Sequence, residues 1–181
     1  MKRLISVFIL NLFVFTGFSQ ISGLPKKEIP NDYGYQVKIG QQMPDIEFEL
    51  VNGKHIKTSD LTGKVIMLQF TASWCSVCRE EMPHIENDIQ QKHKNNPDFA
   101  LYGLDLDEPV ETVKNFEKEM KISYPLALDP KGEIFYTFAE QGAGVTRNVI
   151  IDKTGKIVYV TRLYNEEEFR EMVNVIDFLL K

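Results

Sequence analysis

Hydrophobic and polar positions predict strands at the start of the folded part of the chain. Residues 43–50 alternate between apolar and polar side chains, as in a half-buried strand. Asn52-Gly53 follows, which is a strong signal for a hairpin turn into a second short strand. The apolar run at residues 65–70 predicts a strand that is buried on both faces.

The rest of the chain predicts helices separated by further strands. Apolar residues recur at helical spacing over residues 75–93, 109–120 and from Glu166 onward, and a short helix is expected at 134–138. Asn165 suits the N-cap of the last helix, with Glu168 as its capping-box partner. The remaining strands are predicted at residues 99–104, 148–151 and 157–163.

This order of elements predicts an α/β fold. We expect a central mixed β-sheet flanked by helices on both faces, with the N-terminal β-hairpin as an extension. Sites in such sheets form at the carboxyl ends of the parallel strands. Cys75 and Cys78 follow the strand predicted at residues 65–70, so chemistry is expected there. Lone acids at other strand ends, such as Asp105 and Asp129, are expected to be solvated or capping groups.

The N-terminus has the pattern of a secretory signal peptide. Lys2 and Arg3 precede an apolar run at residues 4–18, and the small residue Ser19 lies directly before a possible cut. The alternative is an uncleaved membrane anchor, although the run is shorter than the roughly 20 residues that span a bilayer. We therefore expect an exported protein of the periplasm or cell envelope, soluble if it is cleaved after residue 19 and membrane-bound only if it is not.

Composition favours one soluble domain preceded by extra segments. The chain has 181 residues, 43% of them hydrophobic, and a formal charge of −5. Residues 20–40 contain proline and glycine without periodicity, so we expect a loosely ordered lead-in there and the main domain at residues 41–181. An acidic chain without basic clusters argues against nucleic acid as a partner.

The two cysteines of the chain predict thiol chemistry. Cys75 is expected at the start of a helix, where unpaired N–H groups and the helix dipole favour a thiolate. Cys78 lies one turn further on and could attack a mixed disulfide formed at Cys75. This spacing predicts a catalytic pair, a nucleophile and a resolving thiol, that forms a redox-active disulfide.

Two other uses of the cysteines are weaker. A zinc site would need further ligands, and His84 and His93 would lie on opposite sides of a helix. A purely structural disulfide would close a very small loop and contribute little stability. We expect no metal and no cofactor.

Around the cysteines the sequence resembles a known family. Trp74-Cys75-Ser76-Val77-Cys78 followed by Pro83 is similar to the active site of thioredoxins. The hairpin, Glu81-Met82-Pro83, Tyr124-Pro125 and Val149-Ile150-Ile151-Asp152 resemble the TlpA/ResA-like branch more closely, over about residues 40–181. The resemblance implies a thioredoxin-like fold and an exported thiol–disulfide oxidoreductase. It also implies a reductase that acts on protein disulfides and is supplied by a membrane electron donor.

Supporting roles for three residues follow from the same resemblance. Trp74 would flank the thiolate, with a core tryptophan as the alternative. Pro83 would kink the active-site helix, because it removes a backbone donor. Glu81 could take the proton from the Cys78 thiol, and the alternative is a solvated carboxylate on the helix surface.

The chain departs from the family at two positions. Gln69 stands where thioredoxin has a buried acid, and Thr146 stands where the family has a cis-proline facing the disulfide. A cis bond before a non-proline residue costs about 3–4 kcal/mol. We therefore predict a trans Val145–Thr146 peptide, with a backbone N–H or the Thr146 hydroxyl directed toward Cys75.

Two competing functions remain open at this point. A peroxiredoxin-like thiol peroxidase would place a threonine three residues before its cysteine, where this chain has Ala72, and Thr71 and Arg147 are each one position out of register. A non-catalytic thioredoxin-fold binding module is opposed by the intact Trp74-Cys75-x-x-Cys78 motif. The Ser76-Val77 pair does not determine whether the protein reduces or oxidises its substrates.

Overall fold

A seven-stranded mixed sheet organises the computed structural model, which describes residues 28–181. The strands are β1 (Glu47–Leu50), β2 (His55–Lys57), β3 (Val65–Thr71), β4 (Phe99–Leu106), β5 (Leu126–Asp129), β6 (Arg147–Ile151) and β7 (Ile157–Arg162). Their order in the sheet is β2-β1-β5-β4-β3-β6-β7. The central strands β3, β4 and β5 are parallel, and the outer strands pair antiparallel.

Helices follow four of the strands, β3, β4, β5 and β7. They are α1 (Ser76–His84), α2 (Gln91–His93), α3 (Val110–Met120), α4 (Phe135–Phe138) and α5 (Glu166–Leu179). A π-helical segment, Ile85–Gln90, joins α1 to α2, so the helix predicted at residues 75–93 is continuous but changes its hydrogen bonding. Asn165 caps α5, since its side chain accepts from the Glu168 N–H.

Strand β3 is buried on both faces, as its apolar run predicts. All seven of its residues are buried. Ile66, Leu68 and Phe70 point into one hydrophobic core, while Val65 and Met67 point into the other. Because β3 is fixed from both sides, its carboxyl end is a rigid support for the residues that follow it.

Both faces of the sheet are covered. One core joins the sheet to α1, α3 and α5 through residues such as Met82, Phe116 and Met172. The other core joins it to α4 and to the segment before β1, through Phe135 and Val37. The predicted layering is confirmed, although one face is covered by three long helices and the other by one short helix and the lead-in.

The N-terminal hairpin is also confirmed. Strands β1 and β2 pair antiparallel. Gly53 adopts a φ of +85°, and its N–H donates to the Leu50 carbonyl. This left-handed conformation is available to glycine at little cost, which is why Asn52-Gly53 gives a reliable turn signal.

Strand β5 was not predicted from the sequence. It has four residues, Leu126 to Asp129, and lies between the parallel β4 and the antiparallel β1. A run this short contains too few residues to establish a period, and the preceding Pro125 resembles a loop signal. Its pairing with two neighbours, rather than its composition, makes it a strand.

The expectation of a loosely ordered lead-in is wrong for residues 31–40. Val37 is buried in the core, and the Tyr35 hydroxyl donates to the Thr161 carbonyl at 2.6 Å. The backbone of Gly40 and Gln41 pairs with Ile157 at the outer edge of β7. One buried side chain, one hydroxyl and backbone groups make these contacts, so no periodic pattern indicates them. The boundary at residue 41 stays a prediction.

The signal peptide predicted at residues 1–19 and the first part of the lead-in lie outside the described residues. Among residues 28–181, no helix combines the length and the apolar character needed to cross a bilayer.

Candidate active site

The two cysteines lie at the carboxyl end of β3, where the fold predicts a site. They form a disulfide, with their Cα atoms 5.3 Å apart. Cys75 is the N-cap of α1 in an extended conformation, and its Sγ accepts a hydrogen bond from the Cys78 N–H at 3.2 Å. The first turn of the helix therefore directs a backbone donor at the Cys75 sulfur, which favours negative charge there.

Solvent reaches the two cysteines unequally. Cys75 is 8% exposed, whereas Cys78 is completely buried. Trp74, directly before Cys75, is 65% exposed. The alternative of a core tryptophan is therefore wrong, and the indole lies at the protein surface.

Thr146 lies against the disulfide. The described residues contain no cis peptide bond, so the Val145–Thr146 peptide is trans as predicted. The Thr146 hydroxyl lies 3.2 Å from the Cys75 sulfur and 3.2 Å from the Cys78 sulfur. The side chain is buried, and its backbone carbonyl accepts from the Leu163 N–H at 3.0 Å. One hydroxyl can thus donate to either sulfur once the disulfide is reduced.

Glu81 is buried in α1, one turn after Cys78. It is 1% exposed, so the alternative of a solvated surface carboxylate is wrong. Asn148 on β6 donates its side-chain N–H to Glu81 Oε1 at 2.7 Å and to the Thr161 hydroxyl at 2.8 Å. Burial raises the pKa of Glu81 to about 8, against the opposing effect of the Asn148 hydrogen bond.

Gln69 lies on β3 near the same carboxyl group. Its Oε1 accepts from the Tyr124 hydroxyl at 2.8 Å, and the pair is fully buried. The Gln69 amide also lowers the pKa of Glu81, although its N–H groups lie outside hydrogen-bonding geometry. Glu81 is therefore the ionisable group of this region, because Gln69 cannot titrate.

Pro83 lies inside α1, two residues before the π-helical segment begins at Ile85. The Ile85 N–H donates to the carbonyls of Glu81 and Met82. A proline removes one N–H from the helical ladder, and the bonding becomes π-helical from Ile85 onward. The kink expected at Pro83 stays a prediction.

Sequence reasoning missed a polar cluster beside the cysteines. Ser73, two residues before Cys75, donates its N–H to Glu108 at 2.5 Å and its hydroxyl to the same carboxylate at 2.6 Å. Arg79 Nε donates to the Ser73 carbonyl at 2.6 Å. The acidic run from Asp105 to Glu108 at the carboxyl end of β4 was the available signal, since β3 and β4 are parallel neighbours.

The lone acids at the strand ends divide into two kinds. Asp129 caps the segment that leads into α4, accepting from the N–H groups of Ile134 and Phe135 at 2.8 and 2.7 Å, as expected. Asp105 is completely buried, so the expectation of a solvated or capping group is wrong for it. Within residues 28–181, no group of three or more His, Cys, Asp or Glu side chains is arranged to hold a metal ion.

Comparisons with known proteins agree with this site. The Redoxin family profile matches residues 38–176. The thiol-disulfide oxidoreductase ResA of Bacillus cereus is 33% identical over 142 residues, which is 78% of this chain and 76% of ResA.

Two solved structures extend the comparison. The solution structure of a candidate protein disulfide isomerase from Bacteroides thetaiotaomicron is 57% identical and superimposes with a TM-score of 0.80, covering 82% of this chain and 93% of that one. A candidate thiol:disulfide interchange protein DsbE from Chlorobium tepidum is 27% identical, with a TM-score of 0.69 over 81% of this chain and 100% of that one.

The profile spans most of the chain, and the relatives are covered over most of their own length. The thioredoxin-like fold carries a Cys75–Cys78 disulfide at the carboxyl end of β3. The chain is a thiol–disulfide oxidoreductase that belongs to the Redoxin family, in the TlpA/ResA-like branch of the thioredoxin superfamily.

Proposed function

We propose that the protein is an exported disulfide reductase, in which Cys75 attacks a disulfide of a substrate protein and Cys78 resolves the mixed disulfide. The unequal placement of the two cysteines is the observation that supports these roles. Cys75 caps the helix and keeps 8% of its surface exposed, whereas Cys78 is completely buried. A substrate can approach the first sulfur only.

The reaction transfers two electrons from the cysteine pair to the substrate. The Cys75 thiolate attacks one substrate sulfur, which forms a Cys75–substrate disulfide and releases the other substrate sulfur as a thiolate. The Cys78 thiol then loses its proton and attacks Cys75 Sγ. This step restores the Cys75–Cys78 disulfide and releases the second substrate thiol. An external donor must then reduce the pair before the next turnover.

Three groups around the pair support the first step. The Cys78 N–H, the Thr146 hydroxyl and the start of α1 all place positive charge density at the Cys75 sulfur. Hydrogen bonds to the charged form lower the pKa of a thiol. These contacts favour the thiolate form of Cys75, which is the attacking species.

Glu81 suits the second step as the base for Cys78. Its pKa of about 8 lies close to that of an ordinary thiol, about 8.5. A matched pair exchanges a proton efficiently in either direction. In this role the buried carboxylate takes the Cys78 proton at the moment of resolution, and Asn148 keeps the carboxylate in place.

Export and the electron donor rest on the N-terminal pattern and the family resemblance. Residues 1–19 have the order of basic, apolar and small residues that a signal peptide needs. A membrane electron donor would resupply an envelope reductase, where glutathione does not maintain reduced thiols. The substrates are protein disulfides, as the name of the Bacteroides thetaiotaomicron structure, a candidate protein disulfide isomerase, indicates for that protein.

Trapping of mixed disulfides tests the catalytic roles. In Cys78→Ser the first step proceeds and the second is blocked, so the variant should accumulate mixed disulfides with substrate proteins. Dithiothreitol should cleave these complexes by reduction. Cys75→Ser is the matched control and should trap nothing. Complexes on Cys75→Ser instead of Cys78→Ser would reverse the roles.

The redox potential tests the direction. Equilibration with glutathione measures the reduction potential of the Cys75–Cys78 pair. For a reductase this potential should lie below about −220 mV, the upper end of the glutathione poise. Equilibration well above that value would make the protein an oxidant, with the same residues in the same roles.

The contacts disfavour the peroxidase alternative. The Thr71 hydroxyl donates to the Met82 sulfur at 3.5 Å, and the Arg147 guanidinium lies 4.5 Å from the Tyr35 ring centre. A peroxidase would direct both residue types at its reactive cysteine. A peroxide consumption assay should therefore give no turnover above a Cys75→Ser control.

A further inference from the structure

Every polar group of Ser73 has a partner. Ser73 belongs to the active-site loop, residues 72–75, which connects β3 to α1. Glu108 accepts from its N–H and its hydroxyl, at 2.5 and 2.6 Å, and Arg79 donates to its carbonyl at 2.6 Å. Hydrogen bonds to charged groups are about twice as strong as neutral ones. The residue two positions before Cys75 is thus held from both sides, and we call Ser73, Glu108 and Arg79 the Ser73 clamp.

The clamp connects the active-site loop to both ends of α3. Glu108 lies two residues before the first residue of α3. Arg79 donates to the two carboxylate oxygens of Glu119, near the end of α3, at 2.7 and 3.1 Å. The Arg79 guanidinium also lies 5.0 Å from the ring centre of Phe116. The loop therefore follows the position of α3, a helix packed in the core.

A buried acid, Asp105, lies next to Glu108. Asp105 is completely buried, and neither of its carboxyl oxygens has a hydrogen-bond partner within the described part of the chain. Burial first, and the Glu108 carboxylate next, raise the pKa of Asp105 to about 8. Asp105 is therefore neutral at pH 7. The Glu108 carboxyl group is held by its two hydrogen bonds from Ser73.

We propose that Glu108 is a positioning residue for disulfide exchange, which acts through Ser73 to fix the loop that presents Trp74 and Cys75. The Cys75 N–H donates to the Ala72 carbonyl at 3.1 Å, so the loop is a closed turn that moves as one piece. Release of Ser73 shifts the exposed indole of Trp74 and the approach to Cys75 together. The inference rests on the proposed function for its effect on turnover, but not for its effect on the loop.

Two substitutions of Glu108 separate the effect of its hydrogen bonds to Ser73 from the effect of its negative charge. In Glu108→Gln the amide oxygen accepts from the Ser73 N–H, and the amide N–H donates to the Ser73 hydroxyl oxygen, so both bonds survive without the charge. In Glu108→Ala both bonds are lost. If Glu108 acts by position, the glutamine variant retains activity that the alanine variant loses.

Trp74 provides the readout, because it is the single tryptophan of the chain. Its fluorescence anisotropy measures the freedom of the loop directly, and insulin reduction driven by dithiothreitol measures turnover. Glu111→Ala is the matched control, since Glu111 is an exposed acid in the first turn of α3 that pairs with Lys114. Ser73→Ala, which removes the hydroxyl bond and keeps the N–H bond, is a second and milder variant should Glu108→Ala fold poorly.

We expect Glu108→Ala to lower kcat/KM on the order of tenfold and to lower the Trp74 anisotropy, because small displacements of a reacting group have large effects on rate. Glu108→Gln should stay within about twofold of the wild type in both measurements. Ser73→Ala should change both in the same direction as Glu108→Ala but less, and Glu111→Ala should change neither.

The proposal would be overturned if Glu108→Ala had the same Trp74 anisotropy and the same turnover as the wild type. Equal losses in the glutamine and alanine variants would also overturn it, because the charge and not the position of Ser73 would then be responsible. Absence of insulin reduction by the wild type would instead contradict the proposed function, and the anisotropy series alone would decide the role of Glu108.

Discussion

Thr146 gives the disulfide a neighbour that can donate a hydrogen bond, which proline at this position could not do. Its hydroxyl is equidistant from the two sulfurs, at 3.2 Å. In the reduced protein only one of the cysteines needs to be a thiolate, and the hydroxyl can rotate toward it. This residue therefore links the redox state of the pair to the charge distribution in the site.

Removal of the Thr146 hydroxyl should raise the Cys75 pKa. A hydrogen bond to a charged group contributes about 1.5–3 kcal/mol, so Thr146→Ala should raise the pKa by about one to two units. The pH dependence of Cys75 alkylation by iodoacetamide measures it. Thr146→Ser keeps the hydroxyl and should resemble the wild type. A serine variant that behaves like the alanine variant would assign the effect to the lost methyl group instead.

Glu81→Gln should change the pH profile of the second chemical step. Between pH 7 and 9 the wild-type rate of resolution should rise as Glu81, with its pKa of about 8, loses its proton and becomes a base. Glu81→Gln should lack this rise in rate, and it should resolve the mixed disulfide more slowly than the wild type at pH 8. Stopped-flow measurement of mixed-disulfide decay follows the step. Glu80 is exposed on the same helix, so Glu80→Gln is the matched control, and a shared profile would remove Glu81 from the mechanism.

The site residues that could be predicted from the sequence are the ones with local signals. Cys75, Cys78 and Thr146 follow from the motif and from one loop position. The burial of Glu81 depends on Asn148, which lies 67 residues further along the chain. Glu108 likewise meets Ser73 across 35 residues. Contacts of this kind are set by the register of neighbouring strands, which no single segment encodes.

At the scale of elements, the hydrophobic pattern located most helices and strands but not how they adjust. The apolar positions Met82, Ile85 and Ile89 remain buried through the π-helical segment. Their spacing predicted the burial correctly, because a single wider turn changes the direction of the face only slightly. Strand β5 and the packed lead-in were missed, since both depend on partners distant in sequence.

The lead-in should contribute measurably to stability through Tyr35. Its hydroxyl donates to the carbonyls of Thr161 and Asn148, at 2.6 and 3.2 Å, and its ring lies over the buried Arg147 guanidinium. Tyr35→Phe should lower the free energy of unfolding by about 1 kcal/mol, the net value of a typical hydrogen bond. Urea unfolding measures the loss.

Tyr35→Ala should lower the free energy of unfolding considerably more than Tyr35→Phe. It uncovers Arg147, whose terminal nitrogens have no hydrogen-bond partner among the described residues, and removes the cation–π contact. Equal losses in the two variants would indicate that the ring contributes nothing beyond its hydroxyl.

For the whole molecule, two buried acids predict a stability that falls as the pH rises. Glu81 and Asp105 have pKa values near 8 in the folded state, above the ordinary values of 4.5 and 3.8 that apply after unfolding. Between these limits the folded protein binds more protons than the unfolded chain, so stability decreases with pH. The decrease should run from about pH 5 to pH 8, on the order of 1 kcal/mol per pH unit for each group.

Urea unfolding at a series of pH values checks this prediction. Asp105→Asn removes one of the two titrating groups and keeps the shape of the side chain, so it should flatten the decrease. Asp98 is exposed and pairs with Lys153 at the surface, and Asp98→Asn should leave the slope unchanged. A wild-type stability that is level from pH 5 to pH 8 would contradict the raised pKa values.

The pairing of Gly40 and Gln41 with Ile157 has a consequence for the behaviour of many molecules together. Strand β7 is the last strand of the sheet, and an open edge offers its N–H and C=O groups to any extended chain, including another copy. The lead-in occupies part of that edge from within the same molecule. Removal of the residues before residue 43 would expose this edge of β7. The expected result is self-association through the sheet edges at high protein concentration.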